Sequence, residues 1–423
     1  MSKQRDVTRR DFLREGASAG TSLAALSGIS FITDPIRVFG ANDRIRFGLI
    51  GCGDRGQEDL HAALTCANVE CVALADVYTR RLDEAKSIAP QAKASQDFRR
   101  MLDDKTIDAV VIATPQHQHA LNFVPAIQAG KDVYQEKTMA FNTDHARRMR
   151  RVLEGSDRVV QVGIQSVTAE AYGKVKALIT PENMGAITAI HTHMYRNAPY
   201  GGWKRPTPAD CDLEHVDWKG FLGEAPPHEW DPNRYINWRF FWDYDGGNVF
   251  ENMVHQVGFW YKLLDLKMPR GVMMNGGNYL SPDMEVPDTI DVSLDQPENL
   301  LFTWNSGFGN RHYNAEDDFL LGTKGTIFRG RYRAEYTPEG QHRKRSPGEG
   351  PAVPPESRVF DVASKSDGTT EHFQNFFDCI RSRKEPNCPF ELGYRSAIAC
   401  QMAIRSYHEG RKTHWDAERE EIV

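Results

Sequence analysis

Six residues restrict what this chain can fold into more than any others: Gly51-Cys52-Gly53-Asp54-Arg55-Gly56. A short apolar run of strand length, Arg44 to Ile50, leads into them, and Leu60-His61-Ala62-Ala63-Leu64 reads as a helix just after. A second apolar run, Val69 to Ala75, ends at Asp76. A G-x-G-x-x-G turn between strand and helix, with an acid closing the next strand, is the layout of a dinucleotide-binding βαβ unit. Gly51 permits the tight turn, Gly53 lets a pyrophosphate approach the backbone, and Gly56 lets helix and strand pack closely. Asp54 and Arg55 open the helix, whose unpaired N–H groups face the pyrophosphate. Asp76 is placed to accept from the adenosine ribose hydroxyls and to repel a 2′-phosphate. NAD is therefore expected over NADP, a preference that Arg80 and Arg81 would soften.

The alternation continues beyond this unit. Ile107 to Ala113 is nearly all apolar, as in a strand buried on both faces of a parallel sheet. It ends in Thr114-Pro115-Gln116-His117-Gln118-His119, and a helix follows from His119 to Ala129. Asp132 to Gln135 is the next strand, ending at Glu136-Lys137-Thr138. Helix 142–154 and strand 159–163 complete a doubly wound α/β domain over 42–166. Ligands of such sheets lie at the carboxyl ends of the strands. Thr114, Pro115, His117, His119, Glu136 and Lys137 are thus candidates on the cofactor side. The remainder, 167–423, reads as an α+β domain with an open, mostly antiparallel sheet. It contains a long Trp-, Pro- and Gly-rich stretch at 196–245, and 331–368 reads as an exposed insertion. Loops that long are uncommon unless functional.

Composition narrows the function classes. A charged fraction of 26% and a net charge of −6, with no basic stripe, speak against a nucleic-acid binder. No apolar run reaches membrane-spanning length. Seven cysteines, an odd number without a C-x-x-C pair, do not form a disulfide framework. Residues 1–41 read as an address: Thr8-Arg9-Arg10-Asp11-Phe12-Leu13-Arg14 resembles the twin-arginine export signal. Export would put the protein in the periplasm or beyond. No nicotinamide pool exists there to exchange with, so the cofactor is expected to be held tightly.

The glycine turn, Asp76, Ala113-Thr114-Pro115, Glu136-Lys137 and the antiparallel second half together resemble the Gfo/Idh/MocA oxidoreductases. The resemblance covers nearly all of the chain after the leader. It implies that Lys137 is catalytic, although Thr138 stands where the family has proline. It also implies a second motif, an acid four residues before a histidine on a helix after Gly-Gly. Here that is Gly246-Gly247 followed by Glu251 and His255, with Glu in place of the family's Asp. Spacing i,i+4 puts both side chains on one helix face. Homo-oligomerisation, as a dimer or tetramer, is implied through the open sheet face.

The chemistry expected is oxidation of a carbohydrate or polyol secondary alcohol, with hydride passed to the nicotinamide. A base must take the hydroxyl proton. His255 titrates in the right range, while Lys137 would stabilise the nascent alkoxide or, if neutral, be the base itself. Glu251 would orient His255 or bind a hydroxyl. Trp203, Trp218, Trp230, Trp238 and Trp242 offer faces for sugar rings, and one or two of them are expected to touch ligand. Arg196, Asn197, Arg234 and Arg239 offer donors for hydroxyl or carboxylate groups, and the substrate candidates are His193, Tyr195, Arg196, Trp238 and Trp242. His191 and His193 lack the carboxylate that a metal site would need, so no metal is expected. A rival within the same family is a redox-neutral lyase, glycosidase or epimerase acting through a transient keto-sugar. From another class, the rival is a non-catalytic sugar or partner binder.

Overall fold

The computed structural model describes residues 44–311, 317–330, 333–340, 356–363 and 366–423. The leader read at 1–41 lies outside them. Six parallel strands form the first sheet: β1 (Ile45–Ile50), β2 (Val69–Ala75), β3 (Lys93–Ser95), β4 (Ala109–Ile112), β5 (Asp132–Gln135) and β6 (Val160–Val162). Their spatial order is β3-β2-β1-β4-β5-β6, so the chain reverses direction of winding between β1 and β4. Loops at the carboxyl ends of those two strands splay apart and leave a crevice. β4 and β5 are buried at every residue, which accounts for the continuous apolar sequence of β4, while β5 buries Asp132 and Gln135 as well. Helix α1 (Asp54–Leu64) starts directly from Gly53. Gly51 has φ of +91°, and a side chain there would lie 2.7 Å from the Ala113 backbone. A Cβ on Gly56 would lie 1.9 Å from the Gly51 oxygen, so helix and strand touch through glycine.

The second sheet has eight strands: β7 (Ile187–Tyr195), β8 (Gly271–Gly277), β9 (Thr289–Gln296), β10 (Leu300–Gly307), β11 (Asp318–Gly322), β12 (Gly325–Arg329), β13 (Arg333–Pro338) and β14 (Arg358–Asp361). All neighbouring pairs are antiparallel except β7 with β10. The stretch 331–368 is therefore not simply an exposed insertion. β13 and β14 come from it, paired from Arg333–Asp361 to Tyr336–Arg358, and extend the sheet at one edge. Alternation within Arg333–Pro338 buries Ala334 and Tyr336, a period-two signal masked in sequence by the surrounding charge.

One core joins the two halves. Val162 and Ile164 from the first sheet, Val292 and Phe302 from the second, and Trp260 and Ala399 from intervening helices belong to a single buried cluster. The chain also returns to the first sheet late. Helix Thr369–Ser382 stacks Phe373 on Tyr134 at 4.1 Å and sets Phe377 against Phe47 at 5.7 Å.

Candidate active site

A cleft of about 590 Å³ opens at the carboxyl ends of β1, β2 and β4. Gly51, Gly53, Asp54, Arg55, Asp76, Thr114 and Pro115 all line it. A Cβ on Gly53 would meet nothing within 4 Å, so this glycine keeps the backbone open to the cleft. The Asp76 carboxylate accepts from Cys52 N at 2.6 Å and Tyr78 N at 2.9 Å. Burial raises its pKa, and the two backbone donors oppose that rise. These residues fit a dinucleotide. The glycine turn and the start of α1 suit a pyrophosphate, and Asp76 keeps lone pairs for ribose hydroxyls. Arg81, beside Asp76, is tied to Asp54 at 3.0 Å and Glu84 at 2.8 Å.

The far wall comes from the long stretch at 196–245, which is not one loop. It folds into short helical turns, Trp218–Leu222, Pro232–Ile236 and Trp238–Phe240 among them. Part of it is strapped across the cleft. On the β2 side, Tyr78 bridges Val216, Asp217 N donates to Val77 O at 2.9 Å, and Asp210 accepts from Tyr78 Oη at 2.8 Å and Arg80 at 2.9 Å. On the β4 side, Gln118 donates to Gly220 O at 3.2 Å. His117 Nε2 lies 2.7 Å from Phe221 O. Phe221, Gly223 and Tyr235 thereby become cleft lining.

A charged cluster adjoins the cleft. Lys137, at the end of β5, donates from Nζ to the Glu251 carboxylate at 2.9 Å and to Glu251 O at 3.0 Å. Gln116 donates to the same carboxylate at 2.8 Å, and Arg239 lies 3.3 Å from it. These donors and cations hold the Glu251 carboxyl far below its ordinary pKa, against the effect of burial. Glu251 lies on a π-helical turn, Val249–Met253, that leads into α-helix Val254–Leu264. The expected i,i+4 face is therefore modified by a wider turn, of the kind often found at functional sites. His255 is half-buried. Burial, then the Lys137 and Arg55 charges, push its pKa down to about 3. Two contacts tie the cluster to the cleft. Arg55 pairs with Glu136 at 3.0 Å, whose other oxygen accepts Lys137 N at 3.0 Å. Arg239 lines the cleft while contacting Glu251. The Lys137–Thr138 peptide is cis, and Thr138 Oγ1 donates to Phe250 O at 2.8 Å.

Several candidates lie elsewhere. His117 is buried between Phe221 and Tyr244, and the two ring nitrogens of His119 lie 2.8 Å from Thr138 O and Thr114 O. Both hold loops together and neither lines the cleft; burial lowers each pKa to about 4. Glu136 is 3% exposed and serves Arg55 and Lys137 rather than the cleft. His193 and Tyr195 are on the outer face of β7, opposite buried Ile190 and Thr192. The His193 ring meets Phe319 there, and Tyr195 covers Gly307. Strand alternation prevents Tyr195 and Arg196 from sharing a face, and Arg196 is the one that feels the Glu251 charge. Trp242 packs on His408 at 4.5 Å, away from the cleft, whereas Trp238 lines it. Arg239, one of the donors expected from 196–245, contacts Glu251 directly, and so does Gln116, which the sequence reading left out. Gln116 follows Thr114-Pro115 at a strand end, the position where sheet ligands gather, and that was a usable signal.

Residues 45–164 match the family model described as "Oxidoreductase family, NAD-binding Rossmann fold". The chain is similar to an inositol 2-dehydrogenase of Salmonella paratyphi B, 29% identical over 168 residues, or 38% of this chain and 49% of the relative. It is also similar to an alpha-N-acetylgalactosaminidase of Tannerella forsythia, 29% identical over 157 residues, or 32% of this chain and 34% of the relative. The match thus spans about half the length, or less, of these curated relatives. A levoglucosan dehydrogenase solved with NADH and levoglucosan has the same fold, with TM-score 0.67 at 17% identity over 90% of this chain and 99% of that one. So has a probable dehydrogenase from Thermotoga maritima, with TM-score 0.61 at 18% identity over 87% and 98%. Residues 45–164 are thus similar to the NAD-binding Rossmann domain of the Gfo/Idh/MocA oxidoreductases.

Proposed function

We propose that this protein moves hydride between a secondary alcohol of a carbohydrate or polyol and a tightly held NAD. The observation that carries the reading is the Lys137–Glu251–His255 cluster joined to the dinucleotide cleft through Arg55 and Arg239. Bound NAD would supply the hydride acceptor. Lys137 is fixed as a donor by two bonds to Glu251, so its role is to stabilise negative charge growing on the alcohol oxygen. His255 is neutral at physiological pH and free to accept the hydroxyl proton, but burial has moved its pKa to about 3, below the range expected from sequence, so it is a weaker base than an ordinary histidine. Glu251 holds Lys137 in place. Trp238 offers a ring face at the cleft wall.

The strap at 210–221 favours a second reading within the same chemistry. Hydrogen bonds on both sides of the cleft would hold this segment over a bound dinucleotide and slow its release. A captive cofactor has to be restored within the turnover. That suits a redox-neutral reaction in which oxidation to a keto-sugar acidifies the neighbouring C–H, loss of that proton expels the group on the next carbon, and the hydride then returns to the carbonyl. Similarity of part of the chain to a protein named as a glycosidase supports the same reading. Export through the twin-arginine-like leader at 1–41 belongs to this proposal, and fractionation of cells expressing the full chain tests it. Homo-oligomerisation through the outer face of the second sheet also belongs to it. Leu301 and Val359 are 43% and 54% exposed on that sheet, and light scattering gives the subunit number.

The direct test is to purify the full chain without added nucleotide, denature it and identify what is released by mass spectrometry. Stoichiometric NAD(H) is the expected result. Failure to bind NAD at any concentration would sink the reading. Incubation with sugars then separates net redox change from redox-neutral turnover.

A further inference from the structure

The catalytic cluster has more positive charge than its own carboxylates can answer. Arg239 approaches Glu251 through Nε at 3.3 Å and stacks on Trp238 at 4.2 Å. Its two terminal nitrogens have no partner among the described residues. Arg196 donates from Nη1 to Gly201 O at 3.0 Å, while its Nη2 is buried without a partner. Trp203 and Phe308 cover its guanidinium at 5.1 and 5.6 Å. Burial lowers the Arg196 pKa, and Glu251 is the carboxylate that opposes this. Lys137 draws on Glu251 as well. Arg55 is already answered by Glu136 and Asp59.

Among the described residues, three cations thus draw on one ionised carboxylate, Lys137 and Arg239 by contact and Arg196 through its charge alone. Asp245 is the other acid in reach. It is 1% exposed with neither oxygen hydrogen-bonded. Burial, then the Glu251 charge, pushes its pKa well up, towards the neutral acid. Even an ionised Asp245 would leave the cations in excess. Holding a partly buried cation without a counter-charge costs stability, and a ligand that brings the missing charge recovers it. The glycine turn at Gly51–Gly56 would take the dinucleotide pyrophosphate, whereas Arg239 is tethered beside Lys137 through Glu251. A planar guanidinium fork with free terminal nitrogens matches a carboxylate.

We infer that the substrate is an acidic sugar of the uronate or aldonate class, its carboxylate held by Arg239 and attracted by the Arg196 charge while its carbinol faces Lys137 and His255. This inference rests on the oxidoreductase reading and narrows its substrate. The test uses the NAD-loaded full-length protein at low ionic strength. Calorimetry compares D-glucuronate with D-glucose, D-galacturonate with D-galactose, and D-gluconate with D-glucitol. At least one acid is expected to bind about ten- to a hundredfold more tightly than its neutral partner. Added salt should shrink that ratio. R239Q and R196Q should each move it towards one, which general loosening of the site would not do. Equal binding of acid and neutral sugar overturns the inference. So does the absence of any acid binding below about 10 mM, or a ratio unmoved in both variants. NAD(H)-loaded protein that oxidises only neutral sugars would overturn this inference and leave the proposed function standing. Protein that cannot bind NAD would overturn the proposed function itself.

Discussion

Replacing Glu251 by glutamine tests the charged cluster directly. The substitution keeps shape and removes one negative charge from between two cations, Lys137 at 2.9 Å and Arg239 at 3.3 Å. The Glu251 and Lys137 side chains are only 9% and 11% exposed, so the pair is a buried one. Removing one partner of a buried ion pair costs about 3–5 kcal/mol. Lys137 keeps its bond to Glu251 O at 3.0 Å, and Arg239 is 29% exposed and partly solvated. The lower end, about 3 kcal/mol, is therefore expected at pH 7. The sign with pH follows from the depressed pKa of Glu251. Its stabilisation is complete above the unfolded value of about 4.3 and is lost as pH falls towards the folded value. Protonation of the unfolded chain alone should narrow the gap between wild type and E251Q by about 1 kcal/mol at pH 3.5. Urea unfolding of NAD-free protein at the two pH values measures both quantities. A gap under about 1 kcal/mol at pH 7, the range of exposed pairs, would refute the argument, and so would a gap that widens in acid.

Three further outcomes are expected. H255N should lower kcat by about 10²–10⁴-fold; and because the His255 pKa is pushed to about 3, wild-type kcat/KM should stay level between pH 8 and pH 5, so an inflection near the ordinary histidine value would count against His255 as the base. G56A forces a Cβ to within 1.9 Å of Gly51 O, which should cost about 1–3 kcal/mol and abolish retention of NAD(H) through purification; wild-type nucleotide content in this variant would contradict the glycine contact. D210A removes the acceptor shared by Tyr78 and Arg80 on the strap, so bound NAD should exchange several-fold faster in a pulse-chase with labelled NAD, and an unchanged rate would show that the strap does not govern release.

Much of the first half was legible because its signals are local. Strand β4 is buried at every residue, and its sequence says so without reference to the rest of the chain. Gly51, Gly53 and Gly56 each answer to a backbone requirement a few residues away. The helix carrying His255 was readable from its buried stripe, Met253, Val257 and Trp260. Its π-helical entry was not, because wider turns are decided by packing rather than by periodicity. β13 and β14 were read as an insertion, since the composition of 331–368 hides a short alternating pair that only its neighbour strands stabilise.

The cleft and its chemistry divide along the same line. By itself the sequence determined the parallel sheet, the glycine turn with Asp76 at its rim, and Lys137 at a strand end, for all of these follow from spacing along one segment. Only the tertiary structure decided which side chains meet. Gln116 and Glu251 are 135 residues apart, Lys137 and Glu251 114, and Tyr78 and Asp210 132. No local period reports such distances. The same packing turned His193 and Tyr195 outward, seated Trp242 on His408, and used His117 to pin the strap. A residue's type shows what it can do. Its partner depends on how two sheets and the helices between them bury a common core, and that is a property of the whole chain.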